Sequence, residues 1–414
     1  YLDQDLSATH QVFDALEQSQ AEDPLAVVLS FHMRASFQML QGHLREAAQT
    51  FRQGVRVAEA DVRRPNTGWA KPLSPGLSMI YQGLGELLRE QNQLDEAERY
   101  LTQSVEAGEQ WGNAEVLADC YMALARVRLA RGDWGSAHDI LGKAEQLVQE
   151  NRLSPFTARQ IAARRARLWL AQGDVASAAR WAELVEGMDE TIEDSDKLLV
   201  FFMREIEQST LARAFIAQSK FDQALNTLAP LIQAAEAGGW LGAGIELLAL
   251  LALALSGQGH ADAALDSLRR ALEWAEPEGH IRIFVDEGEP MKLLIADCGL
   301  RIERQERGES EKLIAYVNKL LAAFPDERRP TKEEGADRSP FVTRSGPSSL
   351  VEPLSERELA VLRLIAEGYS NPEIAARLVV AVSTVKTHVN NIFTKLGVQS
   401  RKQAVAHAKE LNLL

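Results

Sequence analysis

A short pattern that recurs six times between residues 31 and 280 constrains the fold of this chain more than any other feature. Each copy has a small or polar residue that can end a helix and a bulky residue two positions later. An alanine follows at the fifth position and usually an aliphatic side chain or phenylalanine at the ninth. The copies begin at Gly42, Asn92, Gly132, Gly173, Ser219 and Gly259, at intervals of 50, 40, 41, 46 and 40 residues. Such regular spacing is typical of a stacked structural repeat.

Each position of the pattern has a physical reason. The stop residue lets one helix reverse into the next, and the alanine lets the two helix axes approach closely. One hairpin cannot bury its own apolar face, so the copies must stack into a solenoid. The pattern resembles tetratricopeptide repeats, with a longer period that implies longer helices. The two longest intervals contain Arg63–Gly76, around Trp69, and the acidic Gly187–Lys197, and both insertions are predicted to be loops.

Residues 354–397 can be divided into three short helices with a turn between the second and the third. The first is predicted to begin at Ser355, where Glu358 completes a capping box, and to end at Gly368. The second begins at Ser370 or Asn371. Apolar stripes of Leu359, Leu362 and Ile365, and then of Ile374, Ala375 and Leu378, form their predicted buried faces.

The third of these helices has two contrasting faces. It is predicted to run from Ser383 to Leu396, and at about 100° per residue one narrow arc is apolar and must face the core. Short polar side chains and one cation on the opposite arc are of the kind that contact base edges or phosphates, although a polar outer face is often only solvated. The apolar arc carries Val385, Val389, Ile392 and Leu396, and the polar arc carries Lys386, Thr387, Asn390, Asn391 and Thr394.

Charge separates this segment from the rest of the chain. Residues 353–414 contain eight Lys and Arg against five Asp and Glu, whereas the preceding residues contain 37 against 54. Glu373 is the one acid between Pro372 and Gly397. A cationic module on an acidic protein indicates a polyanionic partner for that module.

These residues resemble the LuxR-type helix-turn-helix of bacterial transcription regulators. The resemblance implies that Lys386, Thr387 and Asn390 read bases, and that Thr384, Lys395 and Arg401 lie nearer the phosphates. We expect His388, at the margin of the apolar arc, to be packed. The matching positions are Leu354, Ser355, Arg357, Glu358, Gly368, Ser370, Asn371, Glu373, Ile374, Ala375, Leu378, Thr384, Val385, Lys386, His388, Asn391, Ile392, Lys395, Leu396, Val398, Arg401 and Ala404. The predicted DNA-binding residues are Ser383, Thr384, Lys386, Thr387, Asn390, Asn391, Thr394, Lys395 and Arg401.

A fourth helix is predicted over about residues 400–410. The resemblance implies that it pairs two modules across a two-fold axis, although small alanines also suit packing against the first helix of the module. The predicted dimerisation residues are Ala404, Val405, Ala408 and Leu411.

The repeats, the non-repeat stretch 281–295 and the C-terminal module together resemble the MalT-like branch of LuxR regulators, which are large and ATP-dependent. A Gly-x-x-x-x-Gly-Lys-Ser/Thr phosphate loop does not occur in this sequence, so no cofactor is expected in this chain. The chain begins at Tyr1 within helical patterning, which we interpret as a fragment of a longer protein. ATP could act only through a module upstream of Tyr1.

The predicted fold class is all-α: a tetratricopeptide-like helical-hairpin solenoid, a flexible linker and a four-helix LuxR-type module. The predicted domains are a MalT-like repeat sensor over 1–300, a linker over 301–351 and the DNA-binding domain over 352–414. The linker is predicted to contain one helix, Glu309–Phe324, followed by a stretch rich in Pro, Gly, Ser and charge.

Enzymatic chemistry is not predicted, because no nucleophile with its base and no metal-spaced cluster is legible. Cys120 and Cys298 are predicted to be reduced core residues of a cytoplasmic protein, and no apolar run is long enough to span a membrane. Arg164, Arg165 and Arg167 beside Trp169 could line a concave anion site, and the alternative is an exposed basic helix face. Trp69 is a candidate ligand gate, whereas the other tryptophans are expected mostly in the core. His43 and His260 occupy corresponding hairpin turns.

The sequence therefore predicts a DNA-binding transcription regulator whose repeat domain senses a small-molecule or protein effector and controls self-association on double-stranded DNA. Resemblance adds transcriptional activation and contact with RNA polymerase. One alternative is a protein-docking scaffold with a vestigial DNA-binding module. The other is the C-terminal part of an ATP-dependent switch.

Overall fold

The computed structural model describes residues 24–62, 74–150, 152–186, 197–305 and 311–325 of the chain, and part of its C-terminal region. In that region it describes residues 356–366, 369–378 and 401–410, together with Val385, Val389, Ile392 and Val398. Every regular element within these residues is helical, which confirms the all-α prediction. The chain forms two compact units, Tyr1–Arg329 and Pro330–Leu414.

Twelve helices of the first unit form six antiparallel hairpins, which we call hairpins one to six. In chain order they are α1 Pro24–Leu40 with α2 Leu44–Val62, α3 Ser74–Glu90 with α4 Leu94–Trp111, α5 Ala114–Ala130 with α6 Trp134–Gln149, α7 Pro155–Ala171 with α8 Val175–Glu186, α9 Lys197–Ala217 with α10 Phe221–Gly238, and α11 Leu241–Gly257 with α12 Ala261–Ala275. The bodies of the two predicted insertion loops lie outside the described residues. Helix α3 begins at Ser74, so the first loop ends earlier than the sequence predicts.

The six turns within the hairpins share one backbone conformation. All six predicted stop residues have a positive φ, including Asn92 at 61° and Ser219 at 60°. In the first turn the amide of Gly42 donates to Met39 O and the amide of His43 donates to Gln38 O, and the other five turns repeat this pair of bonds. This is the Schellman motif, which satisfies the last carbonyls of one helix while the chain reverses. The predicted stop positions are therefore confirmed at all six sites.

The repeat alanine is buried in every copy. Ala47, Ala97, Ala137, Ala178, Ala224 and Ala264 are each at most 1% exposed. The side chains at the ninth position are at most 2% exposed, from Phe51 in hairpin one to Leu268 in hairpin six. The bulky residue at the second position varies more, because it is the first residue of its helix: Leu44 is buried, whereas Trp134 is 41% exposed. The close approach predicted from the alanines is thus realised.

The first helices of successive hairpins pack side by side, and the sixth of them, α11, returns to contact α1. The second helices pack on the first helices of their own and the following hairpin, so they form an outer layer. At the closure Gly242 lies so near the end of α1 that a Cβ there would be 2.4 Å from Met39 O. The amide of Arg45 donates to Glu278 Oε2 at 2.9 Å. The repeat therefore closes on itself, which the sequence did not predict.

Residues after the sixth hairpin continue the same unit. Helices α13 Arg282–Val285, α14 Gly288–Gln305 and α15 Glu311–Ala323 follow, and α15 matches the predicted helix Glu309–Phe324. Tyr316, Val317 and Leu320 are buried in one core with α12, and the Tyr316 hydroxyl donates to His280 O. The part of the predicted linker that contains this helix is therefore packed into the repeat unit, because these apolar side chains are buried there. Residues 326–355 lie outside the described part of the chain.

The second unit contains α16 Glu356–Ala366, α17 Asn371–Leu378 and α18 Arg401–Glu410. Ser370 caps α17: its amide and its hydroxyl both donate to Glu373 Oε2 at 2.7 Å. Of the two predicted starts, Ser370 is thus the cap. The core contains Val361, Leu362, Ile365, Ile374, Val385, Val389, Ile392, Ala404 and Ala408.

Candidate functional site

The predicted DNA-reading helix is defined in the structure by its buried side. Val385, Val389 and Ile392 are at most 7% exposed, as the apolar arc predicts. These three residues belong to the core of the second unit and stand at helical spacing. The polar arc itself lies outside the described residues: Ser383, Thr384, Lys386, Thr387, Asn390, Asn391, Thr394 and Lys395. The same holds for His388.

Arg401 is the predicted phosphate contact that the structure describes, and it has partners within its own module. Its guanidinium donates to Asn371 Oδ1 at 2.9 Å and to Tyr369 O. Arg377 lies over the Tyr369 ring, with its guanidinium carbon 3.9 Å from the ring centroid. Arg401 is thus half-buried and fixes the segment before α17 against the start of α18. The resemblance predicted that Arg401 contacts DNA phosphates, and it did not indicate these contacts within the module.

The predicted dimerisation surface requires a correction. Ala404 and Ala408 are fully buried in the core of their own module, where α18 packs against α16. Buried methyl groups cannot form the surface of a contact between two modules, so the alternative weighed for these alanines, packing against the first helix, is the one observed. Val405 is half-buried beside them, and Leu411 lies outside the described residues.

A cluster of charged side chains lies where the inner helices of the closed repeat converge, and we call it the interior cluster. Glu246 accepts from Arg167 at 2.8 Å and from Arg213 at 2.7 Å. Arg213 also donates to Glu287 at 2.5 Å. Arg126 pairs with Glu86, and Arg89 pairs with Asp286. The members come from α3, α5, α7, α9, α11 and the turn after α13, and they are Glu86, Arg89, Asp119, Arg126, Arg164, Arg167, Glu205, Arg213, Glu246, Asp286 and Glu287.

The arginines of α7 differ from both predictions made for them. Arg165 is buried on another side of the helix, where it donates to Glu145 Oε1 at 2.7 Å and contacts His138. Arg167 donates hydrogen bonds to Glu246, Ser209 and Thr210. Neither an exposed basic face nor a three-arginine anion site is present, because two of the arginines already have acidic partners. Trp169 is partly buried in the neighbouring core, and Trp69 lies outside the described residues.

The third arginine, Arg164, has no such partner. Arg164, Asp119 and Glu205 make no hydrogen bond or ion pair with any residue that the structure describes, although each interacts electrostatically with the cluster. Burial lowers the pKa of Arg164, and Arg126 and Arg167 lower it further. Burial raises the pKa of Glu205 to about 7, and its neighbour Glu246 adds to this effect.

The paired acids behave in the opposite way. Burial alone would raise the pKa of Glu246, but Arg167 and Arg213 hold it well below the usual range. Likewise Arg89 and Arg282 outweigh burial and lower the pKa of Asp286. The interior cluster thus contains ion pairs next to three charged side chains that form no ion pair with any described residue. The acidic members were not found from the sequence, because they lie on separate helices with no shared spacing.

Several cysteines, histidines and tryptophans considered in the sequence lie within the described part of the chain. Cys120 and Cys298 are both buried free thiols, as predicted. His43 and His260 occupy equivalent turns and are exposed. Trp111 and Trp134 are 36% and 41% exposed, so these two are not core residues. Within the described residues no His, Cys, Asp and Glu side chains are grouped to hold a metal ion, and no helix has the length and apolarity to cross a membrane.

Both units match models of known protein families. The model of the MalT-like TPR region matches residues 2–299, and the model of bacterial regulatory proteins of the luxR family matches residues 352–408. A solved structure from Podosopora anserina, of a kinesin light chain with nearly identical TPR-like repeats, is 20% identical over 52% of this chain and 97% of its own, with a TM-score of 0.36. A circular tandem repeat protein with novel repeat topology is 16% identical over 78% of this chain and 86% of its own, with a TM-score of 0.20.

Proposed function

Because the chain belongs to the MalT-like regulators of the LuxR family, with a MalT-like TPR region and a LuxR-type DNA-binding module, we propose that it is a sequence-specific transcription activator whose repeat unit controls DNA binding. The match over residues 352–408 carries this proposal, since that module is the DNA-binding part of the family. The buried Val385, Val389 and Ile392 support it, because they match the apolar arc that the sequence predicts for the reading helix.

In the proposed mechanism, two chains bind a two-fold-related DNA site. The side chains Lys386, Thr387 and Asn390 contact base edges, and Thr384 and Lys395 contact phosphates. Each module alone binds weakly, and self-association raises the apparent affinity through effective concentration. An effector or partner bound to the repeat unit controls that association, and RNA polymerase is the expected downstream partner. The buried Ala404 and Ala408 are excluded from the contact between modules.

Selection of duplexes from a random DNA library by the full chain tests this proposal. Wild-type protein is expected to enrich an inverted-repeat sequence. Lys386→Ala and Asn390→Ala should each change the enriched bases, because a good side-chain contact to a base edge contributes about 1–3 kcal/mol of discrimination. Lys409→Ala is the matched control, since Lys409 is an exposed cation on α18 that we do not assign to base reading. Unchanged preference in Lys386→Ala and Asn390→Ala would refute the assignment of the reading helix.

A further inference from the structure

One exposed face of α2 carries three arginines and a glutamine, and we call it the arginine stripe. Its members, Arg45, Gln49, Arg52 and Arg56, are all exposed. At about 100° per residue, their side chains leave the helix within an arc of about 60°. The opposite face of α2, which includes the fully buried Phe51, packs on α1 and α3. The stripe therefore lies on the outer layer of the repeat unit.

The guanidinium groups of the stripe form no ion pair or hydrogen bond with any residue that the structure describes. Residues 47–58 contain no Asp or Glu. Glu278 accepts a hydrogen bond from the backbone amide of Arg45 at 2.9 Å, and its carboxylate does not pair with the Arg45 side chain. Glu59, three residues after Arg56, accepts from the Tyr81 hydroxyl at 3.2 Å. The acids near the ends of the stripe thus leave its arginines unpaired.

Exposed arginines on other outer helices have acidic partners. Arg99 of α4 lies 3.3 Å from Glu96, and Arg270 of α12 lies 2.6 Å from Glu236. Acids are abundant in this part of the chain, because the residues before 353 contain 54 Asp and Glu against 37 Lys and Arg. Three arginines in an acid-free segment contrast with that background.

The stripe costs the free protein stability, which a bound anion would restore. Arg52 and Arg56 are four residues apart, and like charges at this spacing on a helix repel each other. Arg45 lies seven residues before Arg52 on the same line. An anion with several charges along its length would pair with all three guanidinium groups at once.

The length of the stripe fits the phosphate backbone of duplex DNA. At 1.5 Å per residue, Arg45 and Arg56 are about 16 Å apart along the helix axis. Each DNA strand carries one phosphate per about 3.4 Å of its axis, so this length faces about five phosphates of one strand. A guanidinium can donate two parallel hydrogen bonds to a phosphate, and the glutamine amide can donate one.

We propose that the arginine stripe binds the DNA backbone outside the sequence that the C-terminal module reads. This inference rests on the proposed function, because a module bound to its site holds the same duplex near the repeat unit. Binding by the stripe is then intramolecular, so contacts that are weak alone add to the affinity. Phosphate contacts carry no base preference, so the stripe increases affinity and leaves the selected sequence unchanged.

The test measures binding of the full chain to two duplexes. The short duplex is trimmed to the sequence that the chain selects, and the long duplex has the same sequence at its centre with arbitrary flanks. Wild type is expected to bind the long duplex at least about tenfold more tightly at low salt. Its slope of log Kobs against log salt should also be steeper on the long duplex, by about 2.7 per chain, because each of three phosphate contacts contributes about 0.9.

One variant removes all the charge of the stripe: Arg45→Gln, Arg52→Gln and Arg56→Gln combined. It should bind the two duplexes with equal affinity and equal salt slopes. It should still enrich the wild-type sequence from a random library, because the reading helix is unchanged. Its melting temperature should be no lower than that of wild type, because the replaced side chains are exposed and lack partners among the described residues.

The matched control combines Arg99→Gln, Arg152→Gln and Arg270→Gln. These three arginines are also exposed, but each has an acidic partner. The control changes the net charge of the protein as much as the stripe variant does. It should keep the wild-type preference for the long duplex.

Three results would overturn the proposal. Wild type could bind both duplexes equally, or the control could lose the long-duplex preference as fully as the stripe variant. The stripe variant could also keep that preference, which would leave an acidic protein as the partner class for the stripe. Library selection without a long-duplex preference would refute the stripe alone, whereas failure of the selection itself would refute the proposed function and this inference with it.

Discussion

Closure of the repeat depends on a glycine at the contact between the first and sixth hairpins. A Cβ at position 242 would lie 2.4 Å from Met39 O and 2.8 Å from Leu40 O, both backbone atoms that cannot rotate away. Overpacking of this kind costs about 1–3 kcal/mol, against a gain of up to about 1 kcal/mol when alanine replaces glycine in a helix. We therefore expect Gly242→Ala to destabilise the repeat unit by about 1–2 kcal/mol and to separate α11 from α1.

Gly142→Ala is the matched control. Gly142 lies within α6, and a Cβ there would meet no atom within 4 Å. This variant should gain up to about 1 kcal/mol, so the two substitutions should shift the melting temperature in opposite directions, by about 2 °C per kcal/mol.

Double electron–electron resonance measures the distance between hairpins one and six. The spin labels are attached to cysteines that replace the exposed Gln49 of α2 and Asp266 of α12. The native thiols are buried, so the introduced pair takes the label. Wild type and Gly142→Ala should give the same short distance, and Gly242→Ala a longer and broader one. Equal stability and an unchanged distance in Gly242→Ala would refute the closed arrangement.

Three further predictions concern single residues. Ser219 and Gly132 both have a positive φ, which glycine adopts at lower cost than serine. Ser219→Gly should therefore raise the free energy of unfolding by about 1 kcal/mol, and Gly132→Ser should lower it by a similar amount. Urea titrations that show no such opposite shifts would contradict this. Arg401→Met removes the hydrogen bonds to Asn371 and Tyr369 and should speed amide hydrogen exchange around residues 369–371. Lys409→Met is the control and should leave that exchange unchanged. Equal exchange in both variants would show that Arg401 does not stabilise this segment. The pKa of Glu205 is about 7 in the folded protein, against an ordinary value of 4.5. Ionisation of Glu205 therefore lowers the stability of the folded protein as pH rises from about 4.5 to about 7. Glu205→Gln should raise the melting temperature at about pH 8 but hardly at about pH 4. Burial raises this pKa most and Glu246 raises it further, whereas Arg167, Arg164 and Arg213 lower it. An equal effect at both pH values would show that the Glu205 charge is not the cause.

Local features of the fold could be predicted from the sequence. A Schellman turn needs a residue that tolerates positive φ, and close helix approach needs a small side chain, so Gly42 and Ala47 are legible from their spacing. The apolar arc of Val385, Val389 and Ile392 is legible for the same reason, because periodicity within one helix determines which residues face the core.

Long-range features could not be predicted in this way. Ile283 N donates to Glu90 Oε1 across 193 residues, and no pattern along the chain links these two positions. The acids Glu246 and Glu287 meet Arg213 because three elements converge, and spacing within each helix does not reveal that. Helix α15 could be predicted from its apolar spacing, but that spacing did not reveal that its buried face packs against α12. Ala404 suits both a dimer contact and a core, and burial alone distinguishes the two.

DNA binding by residues 352–408 distinguishes the proposed regulator from a protein-docking repeat with a vestigial module. A salt titration of the full chain on its selected duplex measures that binding. Each phosphate neutralised by Lys or Arg contributes a slope of about −0.9 to log Kobs against log salt, so wild type should show a steep negative slope. Lys395→Ala should make that slope shallower by about one. A slope near zero, or equal affinity for the selected duplex and a scrambled one, would contradict the proposed DNA binding.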